Sequence, residues 1–322
     1  MKILLCGFFG EGNLGDETIL AAIREQLPDS CGLTITSGRQ MLYGGQAIRR
    51  RGLLSWPAFL QAAFENNAAI FSGGVLQDWS FEGVTFFALR IIAASTLRCE
   101  PALWGAGIGP LRSIGGRKLA ARALKRVKTA WLRDNASLQL FNELAETPAS
   151  DGTDWSWHFP VTTSPERENA PIALNLRQWE SEEWRNQVAH QLRHGQRQIV
   201  GMAARRSDID VIRELAPTAS IMHPATFSEF AESCRNFSFG LAMRYHAGLA
   251  MLRAGLPVKL VAYDEKVSEL ARSAGVLTIA ENQISGFKTA APQFISNQQQ
   301  KFAAMQRAFA DWMQGLSASQ LR

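Results

Sequence analysis

Three basic residues in this sequence stand just after predicted strands, where they could hold an anion. They are Arg133, Arg244 and Lys266. An arginine offers a planar fork to a carboxylate or phosphate, and a lysine offers a point charge. His246 lies two residues after Arg244 at the start of a predicted helix, and its imidazole could move a proton near neutral pH. A single histidine is often a partly buried core or cap residue, but this setting favours a chemical role.

The candidate general base lies in a glycine-rich turn, residues 10–17, where Asp16 and Glu17 are adjacent. The turn contains G-x-G-x-x-G, the fingerprint of dinucleotide-binding folds. Three details argue against a dinucleotide. The pattern starts three residues after the first turn glycine, Gly7, and the second predicted strand ends without an acidic residue that could bind a ribose. In addition, the two carboxylates would repel a pyrophosphate at the helix start. The alternative for Asp16 is a helix cap, a common use of aspartate.

Two further glycine-rich stretches are predicted to follow strand ends, Ser72-Gly73-Gly74 and the run from Gly105 to Gly109. In open α/β sheets, ligands bind outside the carboxyl ends of the strands. We therefore expect Gly73, Gly74 and Gly107 to contribute backbone to the floor of a ligand site. The alternative is that each stretch is only a tight turn between a strand and a helix.

Other catalytic and metal signatures are missing from the sequence. It contains no P-loop and no G-x-S-x-G, and His190 and His194 are not part of an H-E-x-x-H. The four cysteines, Cys6, Cys31, Cys99 and Cys234, form no C-x-x-C pair. We therefore expect no metal and no resident cofactor, and a reducing cytosol as the compartment.

These candidate residues are set on short strands that alternate with helices, the pattern of a parallel sheet covered on both faces. The alternation breaks in a polar, proline-rich stretch at residues 148–170 and then restarts. The fold class we predict is α/β, with two Rossmann-like domains, residues 1–165 and 166–295, facing a cleft. A final helix, residues 296–322, is expected to pack back on the first domain. In that arrangement the three cations converge on the cleft.

The charge pattern indicates an anionic partner. The chain has 322 residues and a formal net charge of +5, and residues 101–133 contain eight basic residues and no acidic one. A predicted helix at 116–128 carries most of them and would face an anionic membrane or a lipid phosphate. The alternative is that these charges only form the solvated face of the helix. The inner face would then consist of Leu119, Ala123, Leu124 and Val127. No apolar stretch approaches the roughly 20 residues that cross a bilayer, so we expect a cytoplasmic protein.

An ordered set of short motifs resembles the polysaccharide pyruvyltransferase family, in particular its CsaB-type cell-surface members. The matching stretches are residues 12–17, 72–78, 105–110, 133–134, 174–177, 243–247 and 263–266. The resemblance implies a glycosyltransferase-B-like fold and transfer of pyruvate from phosphoenolpyruvate to a sugar as a ketal. It places the donor-binding Arg, His and Lys on Arg133, His246 and Lys266. The sequence departs from the pattern at Val75, where a third glycine is common, and in a tryptophan-rich segment, residues 151–158.

The residues themselves suit that donor. Phosphoenolpyruvate carries a carboxylate and a phosphate, and Arg133, Arg244, His246 and Lys266 supply the cations for a site that would hold it. We assign His246 as the acid or a phosphate contact, and Asp16 or Glu17 as the base for the sugar hydroxyl. The remaining substrate-binding candidates are Asn13, Gly73, Gly74 and Gly107. The expected acceptor is a sugar, lipid-linked or not, that contains N-acetylmannosamine, reached at the inner face of the membrane.

Other functions remain open at the level of sequence. A sugar-nucleotide glycosyltransferase of the same architecture would need an acidic residue for the ribose, and Glu269 is the obvious candidate. A non-catalytic anion-binding module could be built on the basic helix at 116–128. Nucleic acid is not the partner we expect, because no stacking aromatic residue interleaves with those basic residues before Trp131.

Overall fold

The computed structural model describes residues 1–38, 46–52, 54–78, 81–163, 167, 169–180, 183–193, 197–279 and 286–319. The chain divides into two compact units. The first unit comprises Met1–Glu11, Ile19–Trp157 and the helix from Gln300 onward, and the second comprises Gly12–Thr18 and His158–Gln299. The predicted boundary at residue 165 lies outside the described residues.

The first unit is built on a seven-stranded parallel sheet in the order β3-β2-β1-β4-β5-β6-β7. Its strands are β1 (Lys2–Phe9), β2 (Gly32–Ser37), β3 (Gln46–Arg49), β4 (Ala68–Val75), β5 (Glu100–Ile108), β6 (Thr129–Leu132) and β7 (Ser150–Asp151). The helices that alternate with them are α1 (Leu14–Gln26), α2 (Ser55–Glu65), α3 (Phe81–Thr96), α4 (Ile114–Leu124) and α5 (Asn135–Leu144). The central strands are buried on both faces, as their continuous apolar sequences require.

The second unit repeats this plan with a five-stranded parallel sheet in the order β10-β9-β8-β11-β12. Its strands are β8 (Ile172–Asn175), β9 (Ile199–Met202), β10 (Ser220–Met222), β11 (Phe239–Ala242) and β12 (Val258–Leu260). Its helices are α6 (Glu183–Arg193), α7 (Asp208–Leu215), α8 (Phe227–Ser233), α9 (Tyr245–Arg253) and α10 (Glu265–Ala274). The last helix, α11 (Pro292–Ser319), begins in this unit and continues in the first. The predicted α/β class with parallel sheets is confirmed.

The glycine-rich stretches lie inside strands, which corrects the prediction that they follow them. Gly73 and Gly74 belong to β4, where they pair with Ala106 and Gly107 of β5. Gly7 likewise belongs to β1. Because small residues stand side by side on neighbouring strands, the two backbones continue their ladder past the point where the sequence indicates turns.

The tryptophan-rich segment is the docking surface for α11. Trp155 is fully buried, and its ring lies 6.0 Å from that of Phe302 and 5.2 Å from that of Phe309, centroid to centroid. Its indole nitrogen donates to the carbonyl oxygen of Trp104 at 2.9 Å. Gly105 has a φ of +61°, and a Cβ there would lie 2.7 Å from the Trp155 ring. The departure from the family pattern in this segment therefore has a structural use.

The basic helix is shorter than predicted, because α4 ends at Leu124 rather than at residue 128. Its inner face is buried at Ala123 and Leu124, and Val127 beyond its end is buried as well. Two of its basic residues are paired with α5 and the residues after it: Arg117 with Glu143, and Lys125 with Glu146 at 3.1 Å. Part of the basic excess is thus balanced within the first unit. No helix in the described ranges is long and apolar enough to cross a membrane.

Candidate functional site

The strand order reverses in each sheet, between β1 and β4 in the first unit and between β8 and β11 in the second. Ligands in open α/β sheets bind at the carboxyl ends of the strands beside such a reversal. In the second unit this position holds Arg244 and His246, which follow β11. Gly12–Thr18, far away in sequence, clusters in the same unit. Six of the predicted site residues are therefore parts of one unit: Asn13, Asp16, Glu17, Arg244, His246 and Lys266.

Asn175, the last residue of β8, forms side-chain hydrogen bonds to residues at the ends of the two neighbouring strands, β9 and β11. Its side chain is fully buried. Its side-chain oxygen Oδ1 accepts from the Arg244 backbone N–H at 3.0 Å, and its side-chain nitrogen Nδ2 donates to the Met202 carbonyl at 2.7 Å. The start of α9, and with it His246, is therefore fixed by hydrogen bonds to two neighbouring strands.

The side chain of Arg244 is paired with a carboxylate from α7. Its Nε and Nη2 donate to the two oxygens of Asp208 at 2.7 and 2.5 Å. Asp208 is only 1% exposed, and it also accepts from the backbone N–H groups of Ala204 and Arg205. Two of the guanidinium nitrogens predicted to face an anion thus donate to Asp208 in this structure.

The imidazole of His246 lies directly against Gly15. A Cβ added to Gly15 would lie 1.9 Å from His246 Nδ1. The segment is held in place because the Leu14 backbone N–H donates to the Ala204 carbonyl at 2.9 Å. The glycine at position 15 is therefore needed for space: it allows the first turn of α1 to reach the imidazole.

Asp16 is the carboxylate beside these cations. Burial raises the pKa of its carboxyl group. A hydrogen bond donated by the Asn13 side chain opposes that rise, as do the charges of His246, Lys266 and Arg244. The helix begins at Leu14, so Asp16 lies within the first turn and the prediction that it caps the helix is wrong. A carboxylate with a raised pKa beside an imidazole suits proton transfer.

Glu17 has a different environment. Its Oε1 accepts from the Gly12 backbone N–H at 3.2 Å, and its own N–H donates to the Asn13 carbonyl at 3.0 Å. The side chain thereby closes the turn that presents Asp16. Of the two adjacent carboxylates, the structure gives Glu17 a local structural contact and leaves Asp16 as the stronger candidate base.

Lys266 lies near the start of α10, a helix that the sequence analysis did not identify. Its Nζ is 2.9 Å from Oδ2 of Asp264 and 5.7 Å from the centre of the Tyr263 ring. Asp264 also caps the helix by accepting from the Val267 backbone N–H. The Tyr263 hydroxyl in turn accepts from Arg177, which follows β8, at 2.9 Å. The ammonium group is thus held beside the same strand ends.

In the first unit, Arg133 lies across a glycine of β5. The side chain is 4% exposed, and its guanidinium is 3.4 Å from Asp154 and 3.5 Å from Asp134. A Cβ on Gly107 would lie 2.4 Å from Arg133 Nη2. Gly107 therefore provides the space that the guanidinium occupies.

The end of β4 has an unusual backbone. Gly73 has a φ of +78°, and the buried Leu76 has a φ of +52°, which a leucine rarely adopts. A Cβ on Gly74 would lie 2.7 Å from the Gln77 side chain. Strained residues of this kind are concentrated at functional sites, and here they lie at the strand reversal of the first unit.

Some residues that build these sites were not predicted. Asp208, Asn175 and Asp154 are buried partners of predicted residues, and Gly15 was considered only as part of a fingerprint. The available signal was weak: Asn175 stands in a quoted motif, and Asp208 opens a predicted helix. Among the residues that the structure describes, no group of three or more His, Cys, Asp or Glu side chains is placed to hold a metal ion.

Solved structures with the same fold are sugar-nucleotide enzymes and their relatives. HepE of Anabaena, solved with UDP and glucose, is 14% identical, with 98% of this chain and 99% of that chain covered and a TM-score of 0.57. UDP-GlcNAc 2-epimerase of Methanocaldococcus jannaschii is 11% identical, with 96% and 99% covered and a TM-score of 0.57. At these identities the likeness shows the fold alone, and it confirms the predicted glycosyltransferase-B-like class.

The sequence comparisons point to one family. No curated protein matches the chain. The family model described as polysaccharide pyruvyl transferase matches residues 13–265. That range begins at Asn13, just before the segment that carries Gly15 and Asp16, and ends one residue before Lys266. Since the match spans most of the sequence, the chain belongs to the polysaccharide pyruvyl transferase family.

Proposed function

We propose that this protein transfers the pyruvyl group of phosphoenolpyruvate to two hydroxyls of one sugar, forming a ketal and releasing phosphate. The family membership supports pyruvyl transfer to a polysaccharide. The observation that carries the proposal is the contact between the Gly15–Asp16 segment and His246, with Arg244 and Lys266 close enough to affect the Asp16 carboxyl. This contact supports a site in which His246 is the proton donor, Asp16 the proton acceptor, and Arg244 and Lys266 the nearby cations.

The proposed reaction conserves atoms, charge and protons with His246 as the acid and Asp16 as the base. An acid, assigned to His246, protonates the methylene carbon, which leaves a cation-like centre at the adjacent carbon. One sugar hydroxyl adds there and gives its proton to Asp16; the bond from that carbon to the phosphate oxygen breaks, and the second hydroxyl adds. One of the two hydroxyl protons restores the acid and the other leaves with the phosphate, so no oxidant or reductant is needed.

The remaining roles follow the same proposal. Lys266 would bind an anionic group of the donor, and Asn13 would orient Asp16. The assignments of Arg133 to the donor and of Gly73, Gly74 and Gly107 to the substrate site stay predictions. We propose a CsaB-type enzyme of the cytoplasm that works at the inner face of the membrane, with an acceptor that contains N-acetylmannosamine.

A second candidate is a sugar-nucleotide glycosyltransferase, because the neighbouring structures include one solved with UDP and glucose. Its ribose partner was expected to be Glu269. That carboxylate is 9% exposed, accepts from Ser273 at 3.2 Å and pairs with Arg272. Its oxygens thus bond within α10, which favours the pyruvyl reaction.

The test is phosphate release from phosphoenolpyruvate with a panel of sugar acceptors, including some that contain N-acetylmannosamine. We expect release with at least one acceptor, a loss of at least about 100-fold for His246→Ala and Asp16→Asn, and little change for Glu17→Gln. The matched controls are His190→Ala and the exposed Asp29→Asn. Release with no acceptor, together with thermal stabilisation by UDP-sugars, would instead support the glycosyltransferase.

A further inference from the structure

A pocket in the first unit is lined by none of the residues assigned to the transfer reaction. It has a volume of about 360 Å³ and lies beside α2 and α3. Its lining includes Phe8, Arg50, Trp56, Phe86, Leu89 and Arg90. Two guanidinium groups among aromatic rings form an unusual wall for a cavity that the reaction does not use.

Arg50 is buried with part of its hydrogen-bonding capacity unused. The residue is 3% exposed, and its Nη2 pairs with Glu11 at 2.6 Å. Its guanidinium lies 4.7 Å from the centre of the Phe8 ring. Its Nε and Nη1 are buried and have no hydrogen-bond partner among the described residues. Buried donors left without partners carry a free-energy cost that a bound acceptor would remove.

Arg90 is the second buried cation. It is 3% exposed, and its Nη1 and Nη2 donate to the backbone carbonyls of Phe86 and Arg50. Its guanidinium is 3.7 Å from the centre of the Phe86 ring and 4.8 Å from that of Trp56. Its Nε has no hydrogen-bond partner in the part of the chain that the structure describes. Burial lowers the pKa of Arg90 to about 10, with the charge of Arg50 adding to the effect, so the group stays charged at neutral pH.

Within the described part of the chain, the two buried cations of this pocket share one carboxylate. Arg50 pairs with Glu11, and Arg90 forms no ion pair there. A buried charge is normally paired because its desolvation is costly, and the missing partner in this pocket is an anion.

The surface around the pocket is apolar. Six large hydrophobic side chains are exposed among the described residues, and four of them belong to α2, the residue before it, or α3; these are Leu54, Leu60, Phe64 and Leu89. Trp56, Leu60 and Phe64 recur every four residues on α2 and therefore share one face of the helix. That stripe starts at the pocket wall, and Leu60 and Phe64 extend it along the exposed surface.

We propose that this pocket binds an amphiphile with a phosphate head and an apolar chain, with the phosphate at Arg50 and Arg90 and the chain along the stripe of Trp56, Leu60 and Phe64. Guanidinium forks match phosphate geometry. An inorganic anion alone would leave the exposed stripe without a partner, and a neutral lipid would leave the cations without one. The site does not depend on the transfer reaction, because it uses none of the residues assigned to it.

The test is direct binding of farnesyl phosphate below its micellar concentration, with farnesol and inorganic phosphate as the two partial ligands. We expect farnesyl phosphate to bind at least about tenfold more tightly than either, since each partial ligand lacks either the charged or the apolar contacts. Equal binding of farnesol would overturn the role of the arginines, equal binding of inorganic phosphate would overturn the role of the stripe, and no binding of farnesyl phosphate would overturn the site.

Two variants locate the binding. Arg90→Met leaves no carboxylate unpaired and should weaken binding of farnesyl phosphate about tenfold or more. The surface change Leu60→Gln with Phe64→Gln should weaken it about threefold or more, and it keeps the proposal testable if Arg90→Met does not fold. The matched control is Ile114→Gln, which changes an apolar side chain that is 77% exposed on α4. An equal loss in the control, or unchanged binding in the double variant, would contradict the proposal.

Discussion

At the scale of single residues, the site of the second unit depends on the absence of a side chain. Gly15 has an ordinary helical backbone, so alanine there would be conformationally acceptable and even favourable in a helix. What alanine cannot do is share space with His246, whose Nδ1 would be 1.9 Å away. The glycine and the histidine therefore act as a pair, and each explains the position of the other.

Gly15→Ala should therefore be coupled to His246. We expect the single variant to fold but to lose about 100-fold or more in turnover, because a displaced imidazole is out of position for proton transfer. In a His246→Ala background the same change should be stabilising by up to about 1 kcal/mol. Urea unfolding of the four proteins measures the coupling energy, and additive effects on stability would show that the two residues do not share this space.

Asp16 leads to a prediction about pH. Its pKa is raised in the folded protein, so folding favours the protonated form, and stability falls as pH rises from the unfolded pKa, about 3.9, through the folded value. Asp16→Asn removes this cost, so the variant should be more stable than the parent at pH 7.5, with a gain that shrinks toward about pH 4.

Urea midpoints measured from pH 4 to pH 8 check this. Asp29→Asn changes an exposed carboxylate and serves as the control, with no comparable trend expected. A variant at position 16 that is less stable than the parent at pH 7.5 would mean that the ionised carboxylate stabilises the fold, contrary to the direction of the shift.

At the scale of elements, the sequence predicted most of the alternating strands and helices, because apolar runs and their turn residues are local signals. The short edge strands β3 and β7 and the helices α5 and α10 were missed, since their sequences are polar or brief and gain their stability from packing. The glycines of β4 and β5 were assigned to turns because strand pairing is not a local property.

The candidate site was predictable only in part for the same reason. Arg133, Arg244 and His246 could be found because they directly follow strands, and that position is visible along the chain. Their partners Asp154 and Asp208 come from other elements, at separations of 21 and 36 residues. No spacing rule joins residues that meet only when two strands or two helices pack together.

The ion pair between Asp208 and Arg244 joins the starts of α7 and α9. Its loss should therefore affect the positions of both helices. Asp208→Asn keeps the shape but leaves a buried guanidinium without its counter-ion. We expect a loss of about 3–5 kcal/mol in the free energy of unfolding, and lower turnover because α9 carries His246. Urea unfolding and phosphate release measure the two effects.

Glu143→Gln is the matched control, because Glu143 is 57% exposed and its partner Arg117 is 46% exposed. Such a surface pair should contribute only about 0–1 kcal/mol. If Asp208→Asn cost no more than Glu143→Gln, the pair of Asp208 and Arg244 would have no special part in holding the start of α9.

At the scale of the whole molecule, each unit has the same doubly wound strand order, and α11 carries the end of the chain back to the first unit. From Gln300 onward this helix belongs to the unit that contains β1. It is held there by aromatic packing: Phe309 is 1% exposed, and its ring lies 5.0 Å from that of Trp104 and 5.2 Å from that of Trp155. The tryptophan-rich segment and β5 thus form the apolar surface on which the last helix packs.

Phe309→Ala should remove the centre of this packing. A buried phenylalanine replaced by alanine typically costs about 3–5 kcal/mol, and water should then reach Trp104 and Trp155. We expect a lower urea midpoint together with a red shift of tryptophan emission in the folded baseline. Gln314→Ala, an exposed change on the same helix, should alter neither. A cost below about 1 kcal/mol for Phe309→Ala would show that the first unit is complete without α11, and the tryptophan-rich segment would then need another explanation.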